Sequence, residues 1–389
     1  MKTKKRVSLL LLSLLLSSCK GYEEVKLDDY ITSIDIFRNQ DEVKILQLTD
    51  LHWSFQTDFE REKKYLQNLV SICDPDIIMT TGDNILGGNS LTVDTLYKTF
   101  DSLTNARGKK VYFGLTWGNH DRQGVYDKDY PDRELLKYTS ANNYQVGQSY
   151  EHYGLYKHPS SSLFGRSNYA VNLTDGEKTI WTLYALDTNS DSFNGVKYDY
   201  DIIHDDQIAW FNSLNSKIRA EDKDIPSLAF FHIPLYESVF SYDNAYKSTP
   251  FIEKGDFGGE VNEPESDIPG LKEYNLKSNA FYVGYQKTDF FKEAKQGGVK
   301  GMFYGHDHLN DFWALYDDKT YFDNKTNTVV NPNGTADDVL LAYGVKTGDG
   351  LSCDSNKIGG NLITIHKDRS FNGRKSETGT DFKAVYLKY

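Results

Sequence analysis

Five short segments of this chain carry side chains able to bind metal ions or move protons. They are Asp50-Leu51-His52, Gly82-Asp83-Asn84, Gly118-Asn119-His120-Asp121, Phe231-His232 and Gly305-His306-Asp307-His308. Five of the nine histidines fall in them. Carboxylate oxygen, imidazole nitrogen and amide oxygen together form the donor set of Mn, Fe, Zn or Ni sites. No thiolate accompanies them, which argues against a structural zinc knot. Each segment alone is weak, since a lone histidine such as His52 is more often structural than a ligand. The chemistry depends on bringing them together.

Apolar periodicity supplies the elements that would do so. Lys44–Leu48 reads as a strand ending at Thr49-Asp50, and Asp76–Thr80 as a strand ending at Gly82-Asp83. Lys110–Leu115 reads as a third strand, running into Trp117-Gly118-Asn119. Between them, Phe59–Ile72 reads as a helix with Phe59, Leu66, Leu69 and Val70 on one side, and Leu91–Leu103 as a second helix. This β-α-β-α-β order argues for a parallel sheet covered by helices. Asp50 to Asp83 is 33 residues and Asp83 to Asn119 is 36, about one β-α unit each. Ligand sites in open α/β sheets gather beyond the carboxyl ends of the strands.

The second half is richer in strands. These are Tyr169–Leu173, Thr179–Leu186, Leu228–Phe231, Val299–Phe303, Phe312–Leu315, Val339–Tyr343, Leu362–Ile365 and Ala384–Leu387, with helices at Asp205–Ile218 and Thr288–Lys295. No repeat or clear linker interrupts the pattern, so residues 41–389 read as one domain. A long polar stretch at 237–285 reads as an insertion.

The 389-residue chain carries a net charge of −12. Its 28 tyrosines and 21 phenylalanines suit a strand-rich core. So acidic a chain offers no general basic surface for nucleic acid. Any phosphate it binds must be attracted locally, by metal ions or a few placed cations.

Residues 1–18 read as a processing segment, with Lys2, Lys4, Lys5 and Arg6 ahead of an apolar run from Val7 to Leu16 that is too short to span a bilayer. Leu16-Ser17-Ser18-Cys19 resembles the lipobox of bacterial lipoproteins. That resemblance implies lipidation of Cys19, export, and anchoring to the outer face of the cell membrane through the lipid alone. An ordinary signal peptide is the alternative. Residues 19–40 would then be a tether. Cys73 and Cys353 are able to pair in an exported protein or to stand as two free thiols, and the sequence does not decide.

Taken in order, the five segments resemble the calcineurin-like metallophosphoesterases, whose pattern is D-x-H, GD, GNH followed by Asp or Glu, a single His, and GHxH. The resemblance runs over roughly residues 43–315. Phe231–Leu235 and Gly305–Phe312 are similar to the purple-acid-phosphatase-like branch. It implies a four-layer α/β/β/α sandwich of two mixed sheets flanked by helices. It also implies two divalent ions, Mn, Fe, Zn or Ni, and a small phosphorylated substrate.

On this resemblance, Asp50, His52 and His308 would hold one ion, Asn119, His232 and His306 the other, and Asp83 would bridge them. Such a pair lowers the pKa of bound water towards about 7 and clamps the attacking and leaving oxygens. His120 would face the substrate, with Asp121 orienting it. Asp307 and Asn310 would fix imidazole tautomers. One position departs from the branch: the tyrosine that ligates ferric iron in purple acid phosphatases is Leu86 here, so no iron–tyrosinate centre is expected. The implied activity is phosphomonoester hydrolysis outside the cytoplasm, with Arg122 and Arg166 as candidate cations for the dianion. A phosphodiesterase acting on nucleotide or lipid-derived diesters is the alternative. A surface lipoprotein that binds without catalysis is the competing class. Loss of a ligand would signal it, and none of the seven is lost.

Overall fold

The computed structural model describes residues 25–87, 89–121, 130–139, 151–159, 163–193, 198–238, 274–275, 282–311, 313–316, 321–323, 328–330, 339–351, 353, 355, 357–371, 373 and 381–387. Two mixed sheets form its centre. The first runs in the order β17 (Phe382–Tyr386), β16 (Gly359–His366), β2 (Glu42–Leu48), β3 (Ile77–Thr80) and β4 (Tyr112–Gly114). Its strands β2, β3 and β4 are parallel, as the β-α-β-α-β pattern requires. The second runs β1 (Ile31–Ile34), β5 (Tyr169–Asp175), β6 (Lys178–Ala185), β9 (Ser227–Phe230), β11 (Val299–Tyr304), β15 (Val339–Tyr343), β12 (Trp313–Tyr316) and β10 (Tyr274–Asn275). Two short ribbons pair β7 (Asp191–Phe193) with β8 (Tyr198–Tyr200) and β13 (Tyr321–Asp323) with β14 (Thr328–Val330).

Period-two alternation assigns the layers. Leu183, Leu228, Phe230, Phe303, Leu340 and Ala342 join the core shared with the first sheet. Their neighbours Tyr184, Ala229, Phe231, Met302, Tyr304 and Leu341 face the other way. That outer face packs on α4 (Asp205–Ile218) and α5 (Phe290–Gln296) through Phe211, Leu214, Phe290 and Ala294. The far face of the first sheet is covered by α1 (Phe59–Cys73) and α2 (Ser90–Ser102), which bury Leu66, Leu69, Val70, Leu96 and Phe100. A short α3 (Tyr130–Leu136) packs beside α2. The result is the expected four layers.

Both covering helices of the first sheet begin where the chemistry of their caps places them. Asp58 accepts from the Arg61 N–H, and Asn89 from the Thr92 N–H. Helix α1 stops at Asp74, which takes the left-handed conformation.

Three expectations are refined. The stretch read as a tether carries, from Leu27 onward, two 3-10 turns and strand β1, which pairs parallel with β5 and buries Tyr30, Ile34 and Phe37. Its run is too short for periodicity to register. Cys73 and Cys353 are both free thiols, Cys73 lying buried on α1. Most of 237–285 lies outside the described residues, as do Cys19 and Arg122. Among the described residues no helix is long and apolar enough to cross a membrane.

Phe303 stacks on Phe230 at 5.2 Å in the inter-sheet core and is fully buried. Phe303→Ala should cost about 3–5 kcal/mol through lost burial and the cavity left behind. Urea unfolding would report it; a loss below about 1 kcal/mol would mean the two sheets do not share this core.

Candidate metal centre

The five segments extend the strand ends and meet. Beyond β2 and β3, the parallel register continues into the loops: the N–H groups of Asp50, His52 and Trp53 donate to the carbonyls of Gly82, Asp83 and Asn84 at 3.1, 2.9 and 3.1 Å. This ladder lays Asp50-Leu51-His52 alongside Gly82-Asp83-Asn84. Asn119 follows β4, His232 follows β9, and His306 and His308 follow β11. The ligand candidates therefore come from the carboxyl ends of five strands in two sheets.

Two clusters of metal-ligating atoms result. Asp50, His52, Asp83 and His308 form one; Asp83, His232 and His306 form the other; within each, the atoms lie within 4.8 Å of one another. Asp83 belongs to both. Its Oδ2 lies 3.2 Å from His52 Nε2 and 3.3 Å from His232 Nε2. Asn119 Oδ1 joins the second cluster, 3.0 Å from His232 Nε2. In the first, His308 Nε2 lies 3.5 Å from Asp50 Oδ1.

Divalent ions fit this arrangement on its own geometry. Asp50 Oδ1 and both ring nitrogens of His306 are buried without a hydrogen bond. Buried polar atoms normally have partners, so orphans converging on a shared carboxylate point to an ion. Backbone conformation agrees. Asp50, His52, Asp83 and His306 all adopt left-handed φ, at 53°, 53°, 51° and 79°. Each costs of order 1–3 kcal/mol and persists where the surrounding structure over-determines it, and such residues cluster at functional sites.

The motif glycines have a packing reason. A Cβ on Gly118 would come within 2.2 Å of Asp83 Oδ1, and one on Gly305 within 1.9 Å of Thr49 Oγ1 and 2.7 Å of Asp50 Oδ2.

Protonation follows from burial and neighbours. Burial disfavours the His232 imidazolium, but Asp83 overrides it and lifts the group to about 10. Burial, aided by charged His232, pushes His306 down to about 3, and burial also lowers His52. Burial alone would raise the Asp83 carboxyl; His232 and His52 hold it well below its usual range. The proton on His232 thus stands where an ion would.

Several sequence expectations find a different geometry. Asp121, expected to orient His120, is fully buried and accepts from the Gly118 N–H at 2.6 Å, the Ile85 N–H at 2.9 Å and the Asn84 side chain at 3.2 Å. Free backbone donors of two loops claim it, so it ties those loops together. Burial, with Asp83 close by, raises it to about 7. Asp307 accepts from the Tyr343 hydroxyl at 2.6 Å and the Tyr282 N–H, and burial raises it to about 8. Asn310 is buried, with its N–H on the Asp307 carbonyl. Two of the imidazoles meet backbone carbonyls at their Nδ1 edges: Thr81 O lies 2.7 Å from His232 Nδ1, and Asp50 O 3.1 Å from His52 Nδ1.

The four histidines outside the motifs have other work. His152 pairs with Asp101, His204 with Asp201 and His366 with Asp381, and His158 bonds the Arg166 carbonyl. Arg166 reaches Asp132 at 3.4 Å. Sequence reasoning missed Lys346, whose Nζ donates to the Asp50 carbonyl at 2.8 Å and lies 3.0 Å from His52 Nδ1. The available signal was a lysine closing the apolar run Val339–Val345.

The sequence pattern of the Calcineurin-like phosphoesterase family matches residues 43–310. The chain belongs to that family. It is similar to "Probable inactive purple acid phosphatase 28" of Arabidopsis thaliana, 26% identical over 308 residues that cover 71% of this chain and 68% of the relative. It is also similar to "Phosphatase DCR2" of Saccharomyces cerevisiae, 26% identical over 298 residues, 71% of this chain and 46% of that one. "GAP50 the anchor in the inner membrane complex of Plasmodium" aligns over 90% of both chains at 14% identity and a TM-score of 0.42. Whatever separates the relatives named inactive, this calcineurin-like chain keeps a ligating residue at all seven candidate positions.

Because His232 must lose its proton to become a ligand, metal uptake should release about one proton per chain near pH 7. The sign is fixed by the raised group: acid favours the imidazolium and weakens binding, so affinity climbs as pH rises towards about 10. Calorimetry in buffers of different ionisation enthalpy measures the release; uptake without proton release would contradict the assignment.

Proposed function

We propose that this chain is a dinuclear-metal-dependent phosphoesterase that hydrolyses small phosphomonoesters outside the cytoplasm. The observation that carries the reading is the Asp83 carboxylate shared by two clusters of ligating atoms. Asp50, His52, Asp83 and His308 would hold one ion, and Asp83, Asn119, His232 and His306 the other. When bound, the pair supplies Lewis-acid charge to the phosphoryl oxygens and makes bound water more acidic. It also gives an acidic chain a local positive site for an anion.

The protein's own groups do the rest. Asp83 fixes the spacing, since its two oxygens are held from different sides, Oδ1 by the His120 N–H at 2.8 Å and Oδ2 between His52 and His232. That bond holds the His120 main chain against Asp83. The His120 side chain keeps 27% of its surface exposed, against 0% for His52 and His232, and its Nε2 stands 3.9 Å from Asp83 Oδ2. It sits at the mouth, where Nε2 can give a proton to the leaving oxygen, a role worth about 10²–10⁴ in rate. Asp121 keeps the two ligand loops together from beneath.

A monoester dianion suits a centre of excess positive charge better than a diester does. The diester reading stays as the alternative, and a binding lipoprotein without catalysis as the competing class. The basic and apolar leader ending at Cys19 supports export and lipid anchoring on the outer face of the membrane.

Three variants test this. Asp83→Ala should lose metal and essentially all hydrolysis of an aryl phosphate, and wild-type turnover would refute the shared-ligand reading. His120→Ala should keep both ions while losing about 10²–10⁴ in kcat; loss of metal would show that it is a ligand. Aryl phosphodiester turnover faster than monoester turnover would favour the alternative substrate class. Cys19→Ser should move the protein from the membrane to the soluble fraction, and unchanged partitioning would exclude the anchor.

A further inference from the structure

Exposed apolar side chains gather at the mouth of the metal centre. Among the described residues seven large hydrophobic side chains are exposed, and three of them, Phe55, Leu309 and Leu351, stand beside ligand candidates of the first cluster. Leu309 directly follows His308. Phe55 lies three residues beyond His52, so its Cα is within about 12 Å of that residue's. Leu351 adjoins Gly350, which packs so closely on His52 that a Cβ there would come within 3.2 Å of the His52 Cβ. The rings of His52 and His308 are themselves 4.7 Å apart. Exposed hydrophobes scattered singly are ordinary, but three in the loops of one site call for a reason. Leu351 also carries a backbone cost. Its side chain, 49% exposed, projects from left-handed backbone at φ 62°, which a bulky residue rarely adopts. Core packing does not offset that conformation. Phe55 is more open still, at 73%. The charge on the Leu351 segment, Asp349, is taken up by Arg61. Across the centre, half-buried Tyr200 and Tyr282 stand edge-to-face against His306, with 4.3 and 6.4 Å between ring centres. The centre is therefore polar within and apolar at its rim.

We infer that Phe55, Leu309 and Leu351 grip the organic part of the ester, so that the preferred substrates are phosphomonoesters of apolar alcohols rather than of sugars or other polyols. That assignment rests on the phosphoesterase reading above and names its substrate class. With the phosphate held at the centre, the group on the ester oxygen extends outward and meets the rim. An alkyl or aryl group laid along those side chains takes apolar surface of both partners out of water. A polyol laid there loses the hydration of its hydroxyls and gains no hydrogen bonds from Phe55, Leu309 or Leu351. Because these side chains cover the bound group from one side, each methylene gains part of a full burial, about two- to four-fold in kcat/KM.

The test is kcat/KM of the full chain, loaded with Mn²⁺, for ethyl, butyl, hexyl and octyl phosphate, with glycerol phosphate as the polyol. The alkyl leaving groups have nearly equal intrinsic reactivity, so chain length reports contact with the protein. The wild type should gain about two- to four-fold per methylene until the rim is covered, and glycerol phosphate should fall below butyl phosphate. Calorimetry supplies a readout without turnover: octylphosphonate, whose P–C bond is not an ester, should bind more tightly than ethylphosphonate. The combined variant Phe55→Ser, Leu309→Ser, Leu351→Asn should flatten both dependences, each protein being scored against its own ethyl compound. Polar replacements at exposed positions change stability little, and asparagine tolerates the left-handed backbone at 351. A wild type indifferent to chain length, or a triple variant that keeps the wild-type dependence, overturns the inference and leaves the phosphoesterase reading standing. A loaded wild type that hydrolyses none of the five esters removes both.

Discussion

Two carboxylates, Asp50 and Asp83, are buried within one small volume, and charge of that kind cannot stay buried without compensation. Much of the surrounding structure answers that requirement. The His232 imidazolium supplies a cationic partner, and the buried Lys346 Nζ donates to the Asp50 carbonyl at 2.8 Å. Backbone N–H groups of His120 and His306 supply hydrogen bonds at 2.8 and 3.1 Å. Four of the participating residues accept left-handed backbone to bring their side chains inward. A site that gathers this much charge and strain into one place is built to hold an ion, and the unpartnered nitrogens of His306 show where one is wanted.

The fold serves that site by supplying strand ends. Parallel pairing of β2, β3 and β4 sets three loops side by side, and the ladder beyond β2 and β3 holds two of them in register. The second sheet contributes its own parallel run, β9 and β11, from the facing layer. The inter-sheet core, where Phe303 of the second sheet meets Phe382 of the first at 5.9 Å, joins the two layers that carry the ligand set.

Much of this was legible in the sequence, for physical reasons. Strands that end in Asp50, Asp83 and His232 are strongly apolar, so their alternation and length were readable; Val339–Tyr343 and Asp205–Ile218 match to the residue. The ligand candidates were readable because metal chemistry restricts donors to a few residue types and their order resembles the calcineurin-like pattern. Contacts between residues far apart in the chain were not. Asp121 looks like a partner for the adjacent His120, yet it bonds Asn84 and Ile85, more than thirty residues away. Lys346 lies 294 positions from His52, and no local pattern links them. Strand β1 was hidden because four residues are too few for a period to register.

The central claim is that one carboxylate, Asp83, bridges two ions. Crystals grown with Mn²⁺ and measured at the manganese absorption edge test it most directly. The account predicts two anomalous peaks about 3.5–4 Å apart, one beside His52 and His308, the other beside His232 and His306, with Asp83 between them. A single peak, or two that do not share Asp83, would contradict it.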